Sequence, residues 1–147
     1  MENIVVTRME ENMIDESVDL FISTFSREPW NDEYESRDQV RDFFKNHFAN
    51  NYFLGYVISI NGKIQGLSIG MKKPWIKGFE YYIDEFCINY ALQGRGIGSK
   101  FIKEIEMDIK KEGLNGIILN TEKDFPSFQF YKKNGFEDFG DLVIMGK

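Results

Sequence analysis

Cysteine and histidine are almost absent from this chain of 147 residues, with Cys87 and His47 the only examples. A lone cysteine cannot close an internal disulfide, and one Cys with one His falls short of a zinc-binding set, so no structural metal is expected. Proline is scarce as well, at three residues. No stretch approaches 18 consecutive apolar residues, and Met1-Glu2-Asn3-Ile4 has neither the basic start nor the apolar centre of a signal peptide. A cytoplasmic location away from membranes is the expectation. Basic residues are also in deficit, 18 Lys and Arg against 24 Asp and Glu for a net charge of -6. That balance argues against nucleic acid as the partner, because such binding relies on a basic footprint. Repeats, low-complexity tracts and linkers are missing too, so residues 1–147 read as one domain, a monomer or homodimer.

What is present is an aromatic content of 16% within a 42% hydrophobic chain, the make-up of a globular domain. The charge is unevenly spread. Residues 1–50 hold twelve Asp and Glu against five Lys and Arg, whereas residues 51–147 hold twelve against thirteen. An acidic front and a neutral to basic back suit a cationic substrate on one side and an anionic cofactor on the other, although a solvated helical face gives the same count.

The hydrophobic period changes along the chain. Ile4 to Arg8 reads as a strand, and Ile14, Val18, Phe21, Ile22 and Phe25 mark one face of a helix from Met13 to Phe25. Ser36 or Asp38 can cap a second helix ending near Phe48. Tyr52 to Ile60 and Lys63 to Met71 are strand-like runs joined by Asn61-Gly62, the pair that a type I′ hairpin turn requires. A strand over about Phe79 to Asn89 leads into a glycine-rich stretch and a helix with Ile97, Phe101, Ile105 and Ile109 on one stripe, ended by Gly113. Gly116 to Thr121 reads as a buried strand. Pro126 opens a short helix that Asn134-Gly135 ends, and Phe136 to Lys147 can supply one or two last strands. The expected fold is α/β, a mixed sheet of six to seven strands with about four helices on both faces.

Chemistry is expected where strand 79–89 meets the next helix, at Gln93-Gly94-Arg95-Gly96-Ile97-Gly98-Ser99. Glycines let a phosphate approach the backbone, and free N–H groups at a helix start point towards it. The spacing fails the dinucleotide fingerprint in both registers and lacks the Gly-Lys-Ser/Thr of a P-loop. A purely structural glycine turn remains the alternative.

What does match is Gln93-x-x-Gly96-x-Gly98, which resembles the pyrophosphate loop of the GNAT N-acetyltransferase family. A later segment, Asp124-Phe125-Pro126-Ser127-Phe128-Gln129-Phe130-Tyr131-Lys132-Lys133-Asn134-Gly135-Phe136, resembles that family's Asn-x-x-Ala-x-x-Phe-Tyr-x-x-x-Gly-Phe, with Asp124 in place of Asn and Ser127 in place of Ala. The resemblance extends over the element order from Ile4 to Lys147 and is nearest in style to enzymes that acetylate small amines and aminoglycosides. It implies acetyl-CoA as co-substrate and no metal. It also implies cofactor contacts along the backbone of Phe86, Cys87 and Ile88, at Gln93, Gly94, Arg95, Gly96, Ile97, Gly98 and Ser99, and beside Asn120 and Tyr131.

Acetyl transfer to an amine needs a base for the ammonium proton and an acid for the departing thiolate. Asp84 and Glu85, on the strand before the glycine loop, are the candidate bases. Strand alternation turns them to opposite faces unless a bulge intervenes, and the match to the family's acidic residue favours Asp84 with Glu85 second. By resemblance, Tyr131 is the general acid. Cys87 reads as a buried inert thiol rather than a nucleophile, and His47 carries no assigned role. The resemblance also implies an acceptor wall from the first two helices and the loop between them, where Glu28, Trp30 and Tyr34 would join Asp84 around a cationic amine. Trp30 and Tyr34 equally fit a role in packing that loop.

Overall fold

The structure, a computed structural model, describes residues 2–147. Strand β1 (Ile4–Arg8) is followed by helices α1 (Ile14–Phe25) and α2 (Arg37–Phe48), then by strands β2 (Phe53–Ile60), β3 (Lys63–Trp75) and β4 (Gly78–Ile88). Helix α3 (Ile97–Lys111), strand β5 (Ile117–Leu119) and helix α4 (Pro126–Lys133) complete the order. The sheet runs β1-β2-β3-β4-β5, antiparallel except for the parallel pair β4 and β5.

Local signals in the sequence become visible devices. Ser36 caps α2 by accepting the Gln39 N–H at 3.2 Å, and Gln39 returns a bond to the Glu35 N–H at 2.8 Å. Asn61 and Gly62 both take positive φ, +52° and +83°, as the β2–β3 hairpin demands. Helix α3 ends in a left-handed Gly113, with Leu114 N–H bonded to the Ile109 carbonyl, so a helix stop is written in one residue.

Two cores flank the sheet. On one face Val18, Phe21 and Phe25 of α1 and Val40 and Phe44 of α2 pack on Val57, Leu67 and Ile69. On the other, Phe101, Ile105 and Ile109 of α3 cover Tyr56, Ile58, Tyr81 and Ile83. Burying side chains of this size contributes about 1.5–3 kcal/mol each, which sets α2 and α3 firmly on opposite faces of β4.

The expected six to seven strands are corrected to five among the described residues. Phe136 to Lys147 forms no strand, and Leu142, Val143, Ile144 and Met145 stay exposed, the first three beside β5. The edge beside that segment is β5, which is three residues long and offers too few ladder bonds to offset the cost of ordering a strand. No helix of the described residues is long and apolar enough to cross a membrane.

Candidate active site

The site begins with a fault in the β3–β4 ladder. Ile69 pairs with Glu85 and Gly70 with Ile83, leaving Asp84 as an extra residue, a β-bulge. The bulge presses the β4 backbone against β3, and any Cβ at position 70 would run into the Tyr82 carbonyl, so only glycine fits there. The consequence for chemistry is a change of face. Asp84 meets His47 of α2, and Glu85 pairs with the core residue Ile69 on that same face, so both carboxylates lie on the α1–α2 side. Phe86 turns the other way and stacks on Phe101 of α3 at 5.4 Å. The parity expected to group Asp84 with Phe86 is therefore broken at the bulge.

β4 and β5 pair only at Tyr81–Ile83 with Ile117–Leu119. Beyond the bulge they part, and a cleft of about 240 Å³ opens, lined by Asp84, Glu85, Phe86, Asn120 and Tyr131, with Trp30 among its walls. Asn89 donates its N–H to Gln65 at 2.7 Å, so alternation in the antiparallel ladder commits the Cys87 backbone to β3 and leaves Phe86 and Ile88 facing the parting strands. The Ile88 carbonyl is taken by the Gln93 side chain at 3.1 Å. Cys87 thus presents nothing to the cleft. Its thiol is buried in the α1–α2 core and pushed up to about 12 by that burial.

The two carboxylates differ in surroundings. Burial first, and then the adjacent Asp84 charge, push Glu85 up to about 7, with His47 opposing. Asp84 is more open and accepts from His47 Nε2 at 2.8 Å. His47 is raised above its ordinary value chiefly by that bond, against the effect of burial. Its Nδ1 lies 3.0 Å from the Phe43 carbonyl one turn earlier in α2.

At the end of β4 a short turn (Tyr90–Leu92) delivers the glycine loop. Gly94 and Gly96 have φ of +81° and +79°, with open space where a Cβ would stand. Gly96 is the N-cap of α3 and offers no side-chain cap. Among the described residues, the six backbone N–H groups from Gly94 to Ser99 find no protein acceptor, while Lys100 N–H returns to the Gly96 carbonyl. A row of free donors at the positive end of a 15-residue helix fits a pyrophosphate. Gly98 also serves packing, since a Cβ there would sit 2.9 Å from the Phe130 ring.

Helix α4 is fastened by aromatic contacts. Phe86 stacks on Phe130 at 5.8 Å and meets Tyr131 edge-on at 6.1 Å. The helix ends in a Schellman motif, with Gly135 at φ +90°, Gly135 N–H bonded to the Lys132 carbonyl and Phe136 N–H to that of Tyr131. Its apolar contact is Phe136 on Tyr131 at 5.3 Å. Asn134-Gly135-Phe136 thereby holds Tyr131 in place, with 9% of its surface exposed. Burial, followed by Cys87 and Glu85, raises the phenol well above its ordinary value.

Trp30 packs between Phe25 of α1, at 5.0 Å, and Phe125 before α4, at 6.1 Å, and so bridges the α1–α2 loop to the start of α4. Tyr34 leans on Phe21 at 5.9 Å and is raised by burial, then by Asp32 and Glu85. Glu28 is exposed and lies outside the residues lining the cleft. Asn120 follows β5 and donates to the Tyr82 hydroxyl, while Ile97 is buried and Arg95 and Ser99 border the glycine loop. His47 is the residue that sequence reasoning left without a role. It lies 37 positions from Asp84, and no local pattern joins them. Among the described residues no three His, Cys, Asp or Glu side chains gather as a metal-binding group.

No curated protein matches the sequence significantly. Among solved structures, the chain is similar to an aminoglycoside acetyltransferase from an uncultured soil metagenomic sample, in complex with sisomicin, at 17% identity and TM-score 0.77, covering 98% of this chain and 95% of that one. It is similar to the aminoglycoside N-acetyltransferase AAC(6')-Iy in complex with CoA, at 11% identity and TM-score 0.77 over 100% and 96% of the two chains. A ribosomal-protein-alanine N-acetyltransferase from Brucella melitensis biovar Abortus 2308 also gives 11% identity and TM-score 0.77, over 99% and 100%. Likeness at such identities establishes the fold and leaves the acceptor open. The sequence profile of the acetyltransferase (GNAT) family, however, matches residues 14–136. The chain belongs to the acetyltransferase (GNAT) family and is an acetyl-CoA-dependent N-acetyltransferase.

Proposed function

We propose that this enzyme acetylates a small cationic amine by direct attack within a ternary complex, with Glu85 as general base and Tyr131 as general acid. The observation that carries the reading is the bulge at Asp84, which turns both carboxylates to the α1–α2 side of a cleft that Tyr131 also lines. Of the two, Glu85 has the proton affinity that the task requires. A carboxylate near 7 is partly ionised at neutral pH yet basic enough to draw a proton from an ammonium as the nitrogen attacks. Asp84 is engaged with His47.

The six free N–H groups from Gly94 to Ser99 would hold the pyrophosphate of acetyl-CoA, and the Phe86 and Ile88 backbone faces the gap along which the thioester arm would lie. Bound acetyl-CoA supplies the activated acyl group. Tyr131, protonated throughout the working range, has a proton to give to a departing thiolate. A relay through Cys87 is disfavoured by magnitude. With its thiol near 12, the thiolate fraction at pH 7 is about one in 10⁵, and the group lies in the core.

The acceptor side is acidic and aromatic. Asp84 and Glu85 line the cleft together with Trp30, and Asp32 and Tyr34 come from the α1–α2 loop, an environment that favours ammonium over carboxylate. Part of the acidic front is spent elsewhere, because Arg37 pairs with Asp19 at 2.8 Å and Arg41 lies 3.5 Å from Asp15. Thiol release from acetyl-CoA, measured across polyamines, amino sugars, neutral amines and peptide N-termini, tests the reading. Turnover is expected with polycationic small amines, and a preference for acidic peptides would refute it.

A further inference from the structure

His47 lies between two groups that can only accept. Its Nδ1 meets the Phe43 carbonyl at 3.0 Å and its Nε2 meets an Asp84 carboxylate oxygen at 2.8 Å. A neutral imidazole has one N–H and would leave one of these contacts without a proton, so both bonds together require the doubly protonated ring. The Phe43 ring, edge-on at 4.7 Å, closes off one side, and the His47 side chain is only 16% exposed. The ring is therefore fixed in position by α2 and aimed at the bulge.

We propose that His47 is a positioning residue for acetyl transfer, an imidazolium that ties α2 to the bulge of β4 and cancels the Asp84 charge beside Glu85, so that the acceptor amine meets one basic carboxylate instead of two. The inference rests on Glu85 being the base. Without the cation, two adjacent carboxylates share one face of a strand, and repulsion keeps a proton on Glu85 into the pH range where it must be free. The charged and titratable groups around Glu85 are Asp84 and Cys87 on β4, His47 on α2, Asp32 and Tyr34 from the α1–α2 loop and Tyr131 on α4. His47 is the one cation among them. It is also the one member that α2 supplies.

His47 is the chain's only histidine, which makes the test direct. In ring-labelled protein a single set of imidazole NMR signals should report a ring protonated at both nitrogens through neutral pH, titrating above the ordinary 6.5. Asp84→Asn should lower that midpoint by about one pH unit. A neutral ring at pH 7 in the unmodified protein would overturn the proposal. The second arm follows kcat/KM with pH. His47→Gln keeps a hydrogen-bonding side chain without the cation and should move the limb of Glu85 up by about half to one pH unit, Asp84→Asn should move it down, and His47→Arg should restore it. An unmoved limb in folded His47→Gln would overturn this role and leave Glu85 as base. A limb that survives Glu85→Gln would remove the base assignment and this inference with it.

Discussion

Replacing Glu85 by glutamine should have opposite effects on activity and stability. In the folded protein the carboxyl titrates at about 7 against an ordinary 4.5, so folding favours its protonated form. The native state binds more protons than the unfolded chain between those values, and stability falls as pH rises from about 4.5 to 7. Above pH 7 the ionised carboxylate therefore costs about 3 kcal/mol, the free-energy equivalent of that difference at 1.36 kcal/mol per pH unit. Glutamine keeps the shape and carries no charge. Denaturant melts should show Glu85→Gln more stable than the parent at pH 8, by up to about 3 kcal/mol, with the gap closing towards pH 4.5. Thiol release should fall by about 10²-fold or more, and the tenfold-per-unit loss of kcat/KM below about pH 7 should vanish. A variant that is equally stable at pH 4.5 and 8, or one that keeps the acidic limb, would refute the reasoning. A merely structural glutamate would lose stability along with activity.

Tyr131→Phe retains the ring contacts with Phe86 and Phe136, so its melting point should hold while kcat drops by about 10²-fold and the acetyl-CoA Kd stays within a few-fold; a loss of folding would make Tyr131 a core residue only. Gly96→Ala should weaken acetyl-CoA about tenfold in calorimetry at a stability cost of about 1 kcal/mol, because the left-handed cap is disturbed in open space. Gly98→Ala should act through stability, since its Cβ presses on Phe130. Gly70→Ala meets a backbone carbonyl that cannot yield, and unfolding should become easier by about 3 kcal/mol, the upper end for overpacking.

The elements that carry their own signals were legible before any contact was known. Asn61-Gly62, Gly113, Pro126 and Asn134-Gly135 act over four or five residues, and the helical stripe of Ile97, Phe101, Ile105 and Ile109 records which face is buried. Gly94 to Ser99 belongs to the same class, because free N–H groups at a helix start are a local property of the backbone. The pair of carboxylates proposed to act on the acceptor is of another kind. Alternation along β4 predicts opposite faces for Asp84 and Glu85, and the bulge that reverses this exists because β3 offers a glycine at position 70 where β4 presses in. His47 gains its meaning only when α2, held by Val40 and Phe44, lands over that bulge. The last strands failed for a related reason: Leu142 to Met145 has the composition of a strand, but a strand needs an edge, and β5 offers three residues. Sequence alone determined the capped helices, the hairpin and the glycine loop with its free N–H groups, whose physics is local. Tertiary structure decided the face that Asp84 and Glu85 share, the contact of His47 with Asp84 and the strand count, because each depends on what another segment places alongside.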